Sequence, residues 1–235
     1  MARRKSREAW KVYGNVFDEF TNRTLFRLST QRYFKDLKSA YKMGKEANVF
    51  LADTADGGLV IVKIYRLENC NFNKMFQYLS QDERFEDLKG QRRKIIFSWV
   101  QREYRNLLKA REAIRVPTPL AVMNNVLVTE LIGDDEPAPE LKDAPPEDPE
   151  AFLDEVLKMV RALLKEGMVH GDLSAFNILN HDGQPVFIDF SQGTTTGSPN
   201  WRELLERDVD NVLNHFGRLG VFRDRDEVLS SLTRE

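Results

Sequence analysis

Cysteine is almost missing from this 235-residue sequence, which contains only Cys70. A single thiol excludes a disulfide within the chain and is typical of a reducing cytosol. Histidine is also scarce, and three His with one Cys do not make a structural zinc site of the usual type. No apolar run is long enough to span a bilayer, and no apolar segment follows the basic residues 3–5. We therefore predict a cytoplasmic protein without a membrane partner.

Charge is unevenly distributed, although the formal net charge is only −2. Residues 1–45 hold twelve Lys or Arg against four acids, and residues 89–111 hold eight against one. Residues 134–155 hold ten acids and a single Lys. Such blocks usually form solvated faces, and contact with nucleic acid is the alternative interpretation of the basic ones. The 41% hydrophobic content is typical of a soluble globular protein with a substantial core.

The hydrophobic patterns predict an α+β chain. Helical spacing covers residues 6–38, where Thr21-Asn22 is the expected break between two short helices. Further helices are predicted at 91–113, 148–166 and 201–216, followed by a polar helical tail, and residues 66–90 have a weak helical pattern. Two hairpins are predicted before residue 133, one joining the runs 47–52 and 59–65 and one turning at Asn124-Asn125, and a third is predicted to turn at Asp182-Gly183.

These elements predict four segments along the chain. Residues 1–38 form a helical N-terminal extension and residues 39–132 a first lobe. An acidic, proline-rich connection at 133–149 then leads to a second lobe at 150–235.

Three oxygen-bearing side chains follow one another around a predicted hairpin in the second lobe. Asp172 and Asn177 lie in a loop before its first strand, and Asp189 follows its second strand. Because Asn177 and Asp189 come from the two ends of one hairpin, they are expected to converge on one Mg²⁺ ion, which prefers such ligands. Asp172 is placed to accept or orient a hydroxyl proton in phosphoryl transfer, and its alternative role is to cap a turn.

Lys63 interrupts the apolar run 60–65. A buried lysine needs a partner, and phosphates together with a helix glutamate would provide one, whereas a strand lysine that faces solvent is the alternative. Glu103 is the single acid in the basic block 89–111 and is the expected partner. His170, next to Asp172, is expected to hold the loop by hydrogen bonds and not to act as a base.

Contacts with the rest of a nucleotide are predicted from position. Lys45 follows Gly44 in a turn, where backbone and an ammonium group could meet phosphate. Glu130 and Ile132 stand at the end of the second hairpin, where their backbone groups could meet an adenine edge.

In combination these motifs resemble the RIO family of atypical protein kinases, and its first subfamily most closely, over about residues 14–216. They are Gly44-Lys45-Glu46-Ala47-Asn48-Val49-Phe50, Val62-Lys63-Ile64-Tyr65, Trp99-x-x-Arg102-Glu103-Tyr104-Arg105-Asn106-Leu107, Val116-Pro117-x-Pro119, His170-Gly171-Asp172-Leu173-Ser174-x-Phe176-Asn177 and Ile188-Asp189-Phe190-Ser191-Gln192.

The resemblance implies a bilobal protein-kinase-like fold with a mostly antiparallel first lobe and a short helical second lobe that lacks a standard activation loop and peptide-binding helices. It implies ATP and Mg²⁺ (or Mn²⁺) as cofactors, Asp172 as proton acceptor, and Asn177 and Asp189 as metal ligands. Lys63 with Glu103 would be the ion pair, and Lys45 would contact phosphate. It also implies a serine/threonine protein kinase with serine autophosphorylation, an aspartyl-phosphate on Asp189 with ATPase activity, and a role with the small ribosomal subunit precursor or its rRNA.

Some positions depart from the family pattern. Lys42-Met43 replace Ser-Thr, Gly171 replaces the commoner Ala, and residues 193–199 replace a His-rich segment, which fits a short archaeal or bacterial member. A small-molecule kinase of the aminoglycoside or choline type remains an alternative, although only 46 residues follow Asp189. Two further alternatives are a Bud-type kinase and a non-phosphorylating, ATP-gated ribosome assembly factor.

Overall fold

The chain forms two compact units in a computed structural model that describes residues 17–68, 70–80 and 91–234. The first unit comprises the described residues up to Tyr104 together with Pro119–Leu131. The second comprises Arg105–Thr118 and the residues from Ile132 onwards. Most strands belong to the first unit and most helices after Ala110 to the second, so the predicted α+β class is confirmed. The domain limits proposed from the sequence stay a prediction.

An antiparallel sheet of five strands forms the body of the first unit, in the order β1-β2-β3-β5-β4. Its strands are β1 Asp36–Met43, β2 Ala47–Asp53, β3 Leu59–Tyr65, β4 Pro119–Met123 and β5 Val126–Glu130. Both predicted hairpins, β2–β3 and β4–β5, are confirmed. In β3 the side chains of Val60, Val62 and Ile64 are buried in one core cluster, and period-2 alternation turns Lys63 to the other face.

The first described helix, α1 (Glu19–Thr30), runs through the position where a break was predicted. Asp18 caps this helix, because its carboxylate accepts hydrogen bonds from the backbone N–H of Thr21 (3.0 Å) and from the Thr21 hydroxyl (2.6 Å). The predicted break at Thr21-Asn22 is therefore wrong, since Thr21 belongs to the first turn. Residues 6–16 of the predicted helical segment lie outside the described residues.

The helical pattern predicted as far as residue 38 is also wrong beyond Thr30. Phe34 is buried in the connection between α1 and β1, and Leu37 is buried within β1, so both join the cluster between α1 and the sheet. That cluster consists of Leu25, Leu28, Phe34, Leu37, Phe50, Ala52, Val60, Val62, Ile64, Ala121, Val126 and Val128.

Two further helices belong to this part of the chain, α2 (Phe72–Leu79) and α3 (Arg92–Ala110). The long helix predicted at 91–113 is confirmed, and α2 lies within residues 66–90, where the sequence has a weak helical pattern. Residues 69 and 81–90 lie outside the described residues. The rings of Tyr78 and Trp99 meet edge to face at 5.8 Å, and Arg102 donates a hydrogen bond to the Tyr78 carbonyl (2.6 Å), so α2 packs on α3.

The second unit is mainly helical. Its elements are α4 Pro149–Lys165, β6 Met168–Val169, β7 Ile178–His181, β8 Gln184–Phe187, β9 Thr194–Thr195, α5 Trp201–Arg218 and α6 Arg225–Thr233. The predicted start of α4 is confirmed, since Asp148 accepts the Ala151 N–H at 3.0 Å with Pro149 as the first helical residue. β7 and β8 form the predicted hairpin, and β6 pairs with β9. None of the helices in the described ranges has the length and hydrophobicity needed to cross a membrane.

Candidate active site

A buried ion pair lies in the first unit. The ammonium of Lys63, on β3, is 2.7 Å from Glu103 Oε1, on α3, and the two side chains are 15% and 2% exposed. The hydroxyl of Tyr65 donates a hydrogen bond to the other oxygen of Glu103. A carboxylate buried this deeply requires such partners, because an uncompensated charge in the interior is very costly. The structure thus brings together the two residues that the sequence proposed as partners.

The loop between β6 and β7 joins Asp172 to Asn177. The amide nitrogen of Asn177 donates to the Asp172 carbonyl (2.8 Å) and lies 3.3 Å from Asp172 Oδ2. The backbone N–H of Asn177 donates to the Ser174 carbonyl at 2.9 Å, which closes a tight turn between the two residues. Because the amide nitrogen is used within the loop, the amide oxygen of Asn177 is the atom with which this residue would bind a metal ion.

Asp189 is held beside Asn177 by the β7–β8 hairpin. The N–H of Ile188 donates to the Asn177 carbonyl at 3.0 Å, so the residue before Asp189 is bonded to the residue that would share its metal ion. Asp189 has φ 62° and ψ 69°, in the left-handed region, immediately before a short 3₁₀ turn at Phe190–Gln192. Non-glycine residues adopt this conformation infrequently, and such strain is concentrated at functional sites.

The donor set fits magnesium better than a softer metal. One carboxylate and one amide oxygen are sufficient for Mg²⁺, which keeps several of its waters and uses phosphate oxygens as further ligands. Within the described ranges, no three His, Cys, Asp or Glu side chains come together as a possible metal cluster.

His170 holds the start of this loop as a neutral side chain. It is 2% exposed, its Nε2 lies 3.0 Å from the Ile188 carbonyl, and its Nδ1 accepts the N–H of Asp172 at 3.3 Å. Burial lowers the pKa of His170 to about 4, against the opposing influence of the Ile188 carbonyl and of Asp189. A ring that donates through Nε2 and accepts through Nδ1 is the neutral tautomer, which suits a positioning role and not that of a base.

Asp208, on α5, anchors the same loop and was missed in the sequence. Its side chain is buried, and its oxygens accept the backbone N–H groups of Gly171 (2.7 Å) and Leu173 (2.8 Å) on the two sides of Asp172. Burial raises the pKa of Asp208 to about 7, although the two N–H donors and Arg207 favour the carboxylate. The sequence could have indicated Asp208, because it is an acidic residue on the apolar face of a helix, beside Leu205 and Val209, which are also buried.

Asn106, on α3, fixes the backbone that follows Asp189. Its amide nitrogen donates to the carbonyls of Phe190 (2.8 Å) and Gly193 (2.9 Å), at the two ends of the 3₁₀ turn. The sequence contained this residue within the motif 99–107 but offered no partner for it. Its contribution is to hold the turn that places Asp189.

The remaining predicted nucleotide contacts occupy turns and strand ends. Lys45 is exposed in the β1–β2 turn. In this turn the Gly44 N–H donates to the Ala47 carbonyl at 2.9 Å, and a Cβ on Gly44 would lie only 2.7 Å from that oxygen. Glu130 ends β5, and the carbonyl of Ile132 accepts the N–H of Ala138 at 2.7 Å. Because the Ile132 carbonyl accepts this bond, the Ile132 N–H is the group that we assign to an adenine contact. The roles of Lys45, Glu130 and Ile132 stay predictions.

Comparisons with known proteins decide the family. The RIO domain matches residues 48–228 of this chain. The chain belongs to the RIO family. The RIO-type serine/threonine-protein kinase Rio1 of Haloferax volcanii is 39% identical over 233 residues, which are 98% of this chain and 80% of that protein. Rio1 of Methanocaldococcus jannaschii is 41% identical over 220 residues, with coverages of 93% and 76%.

More distant RIO proteins support the same assignment. The human serine/threonine-protein kinase RIO1 is 36% identical over 213 residues, 88% of this chain but 38% of the human protein. The crystal structure of the Rio2 kinase–ADP/Mg²⁺–phosphoaspartate complex from Chaetomium thermophilum has a TM-score of 0.69 and 20% identity and covers 92% of this chain and 67% of that one. The predicted RIO resemblance and the kinase-like fold are confirmed, and the protein is a RIO-type kinase that uses ATP.

Proposed function

We propose that this RIO kinase transfers the γ-phosphoryl group of ATP to a serine or threonine hydroxyl, with Asp172 as the residue that orients the hydroxyl and accepts its proton. Asn177 and Asp189 would hold Mg²⁺, which would neutralise the charge of the phosphates. The observation that supports this best is the arrangement of Asp172, Asn177 and Asp189. The Asn177 amide nitrogen contacts the carbonyl and the carboxylate of Asp172, and the N–H of Ile188, the residue before Asp189, donates to the Asn177 carbonyl.

The first unit would bind the rest of the nucleotide. Lys63, steadied by Glu103, supplies a cation for the phosphates, as Lys45 does from the β1–β2 turn. The backbone groups of Glu130 and the N–H of Ile132 are assigned to the adenine edge. The Lys63–Glu103 pair supports this assignment, because a buried carboxylate with two donors holds the ammonium in one position.

An aspartyl-phosphate is the second outcome that we propose for the same site. A carboxylate oxygen of Asp189 would attack the γ-phosphorus while the bond to the β–γ bridging oxygen breaks and ADP leaves. Water would then hydrolyse the acyl phosphate, which regenerates Asp189 and releases inorganic phosphate. A neighbour of the same fold, the Rio2 kinase, was solved as an ADP/Mg²⁺–phosphoaspartate complex, which supports this route.

The test is to incubate the protein with γ-labelled ATP and Mg²⁺ and to follow both phosphate release and covalent label. Asp189→Asn should abolish ATP hydrolysis and any acid-labile label, whereas Asp172→Asn should lower transfer to serine by about 10²–10⁴-fold, as expected for loss of general base catalysis. Asp182→Asn is the matched control, since its side chain is 90% exposed in the β7–β8 turn and should leave both activities unchanged. Robust turnover by the Asp189 variant would contradict the assignment.

A cytoplasmic role with the precursor of the small ribosomal subunit is the finer function that we propose. Arg92, Arg93 and Lys94 are exposed together at the start of α3, and this basic group favours contact with rRNA. Binding to a precursor rRNA fragment should weaken steeply with salt, since phosphate contacts release counterions. Replacing the three residues by Ala should lower the slope of log affinity against log salt by about 3. An affinity that does not change with salt would argue against an rRNA partner.

A further inference from the structure

Phe176 is a large apolar side chain that the described fold leaves uncovered. It is 56% exposed, whereas its neighbours Ala175 and Ile178 are buried. A single exposed aromatic residue needs no special explanation. The position of this one does, because it lies in the loop that carries Asp172 and directly precedes Asn177.

The backbone on both sides of Phe176 is fixed by a neighbouring segment. The N–H of Lys142 donates to the Ala175 carbonyl (3.1 Å), and the N–H of Leu141 donates to the Ile178 carbonyl (2.8 Å). Within the loop, the Asn177 N–H donates to the Ser174 carbonyl at 2.9 Å. A side chain whose flanking residues are bonded in this way has lost most of its freedom to turn inward. Its exposure is thus a property of the folded loop and not of a loose segment.

One side of the ring is already occupied. The Lys142 ammonium lies 5.4 Å from the centroid of the Phe176 ring. This ammonium is 3.4 Å from Glu140 Oε2 and also contacts the carboxylate of Asp143, so its charge is compensated. The ring is therefore oriented by a cation–π contact, while the rest of its surface offers an apolar contact area.

The structure assigns Phe176 as a specificity-determining residue that contacts an apolar side chain of the protein substrate, near the hydroxyl that is phosphorylated. This inference rests on the proposed role of Asp172. Phe176 follows Asp172 by four residues and directly precedes Asn177, whose amide nitrogen contacts Asp172, so both belong to one short hydrogen-bonded loop. At about 3.3 Å per residue of an extended peptide, positions two and three from the serine lie roughly 7–10 Å from it, and these are the positions that we assign to the apolar side chain.

The experiment uses the full chain and synthetic nine-residue peptides with a central serine in an Ala/Lys background. Each peptide carries one leucine, two or three positions before or after the serine, and the reference peptide carries none. We expect at least one leucine peptide to have a KM about tenfold lower than the reference, the usual effect of filling an apolar contact site. Phe176→Ala should abolish this preference, Phe176→Leu should retain part of it, and both should hydrolyse ATP like the parent.

Phe222→Ala is the matched control, because Phe222 is 77% exposed at another site of the same unit and should leave the preference intact. Equal KM values for all peptides in the parent protein would overturn the inference, as would no peptide phosphorylation while ATP is hydrolysed. Retention of the preference by Phe176→Ala, or loss of ATP hydrolysis in that variant, would overturn it too. Failure of the proposed function has a different signature, since Asp172→Asn would then phosphorylate the peptides as the parent does.

Discussion

The stability of the protein should depend on pH through Asp208, the carboxylate that anchors the Asp172 loop. Burial raises the pKa of this group from 3.8 to about 7, so the folded protein binds its proton more tightly than the unfolded chain does. The associated stability is fully present below pH 3.8, is lost as the pH rises and reaches its minimum above about pH 7. Between the two pKa values the free energy of unfolding falls by about 1.4 kcal/mol for each pH unit. The loss between pH 5 and pH 8 therefore amounts to about 2–3 kcal/mol.

The comparison of the parent with Asp208→Asn isolates this effect. The amide keeps one acceptor oxygen, so the N–H of Gly171 or that of Leu173 loses its partner, at a cost of about 1–3 kcal/mol that does not change with pH. The other charged or ionisable groups near Asp208, namely Arg207, Asp172 and His170, are present in both proteins, so their contributions largely cancel in the difference. We therefore expect Asp208→Asn to be less stable than the parent at pH 5 and to recover about 2–3 kcal/mol relative to it at pH 8.

The measurement is urea unfolding at the two pH values, followed by circular dichroism. Asp226→Asn serves as control, because its side chain is 90% exposed and its stability difference from the parent should be the same at both pH values. A difference between Asp208→Asn and the parent that is equal at pH 5 and pH 8 would refute the reasoning. It would mean that the two backbone donors keep the carboxylate ionised throughout this range.

Three further changes test the rest of the structure. Glu103→Gln should raise the KM for ATP in hydrolysis assays, because Lys63 loses its charged partner. An unchanged KM would show that the Lys63–Glu103 pair does not contribute to nucleotide binding. Tyr65→Phe should lower the free energy of unfolding by about 1 kcal/mol, because the hydrogen bond to Glu103 is lost. Equal stability of the two proteins in thermal unfolding would argue against that bond. Gly133→Ala should cost about 3 kcal/mol in urea unfolding, since φ is 130° and a Cβ would lie 2.1 Å from the Glu136 carbonyl. Gly57→Ala, where φ is 91° but the space is open, should cost only about 1 kcal/mol.

Much of the fold could be predicted from residues with a defined local effect. Asp148-Pro149 starts α4, and Asn124 turns the β4–β5 hairpin with φ 53°. Strand β1 could not be predicted in the same way, because after Leu37 all its side chains are exposed and no alternation of apolar and polar residues marks it. Phe34 and Leu37 instead continued a helical spacing that the chain does not follow beyond Thr30.

The site residues that could be predicted either pair with another side chain, would face a ligand, or lie next to such a residue, as His170 does. Lys63 in an apolar strand required a partner, and a single acid in a basic helix identified Glu103. The roles of Asp208 and Asn106 were not predicted because their partners are backbone atoms at least 35 residues away along the chain, which no local pattern in the sequence identifies.

The left-handed backbone at Asp189 also limits which residues can occupy this position during evolution. Glycine, asparagine and aspartate tolerate such a conformation best, and aspartate is the one of these that carries a charge. Glutamate has the same carboxylate, but it has no comparable preference for this backbone region and would place the group about one methylene further out. The residue at this position must therefore meet two requirements, tolerance of the left-handed backbone and a negatively charged side chain. Families that keep this turn should therefore vary it toward Asn or Gly, with loss of the charge, before they vary it toward Glu.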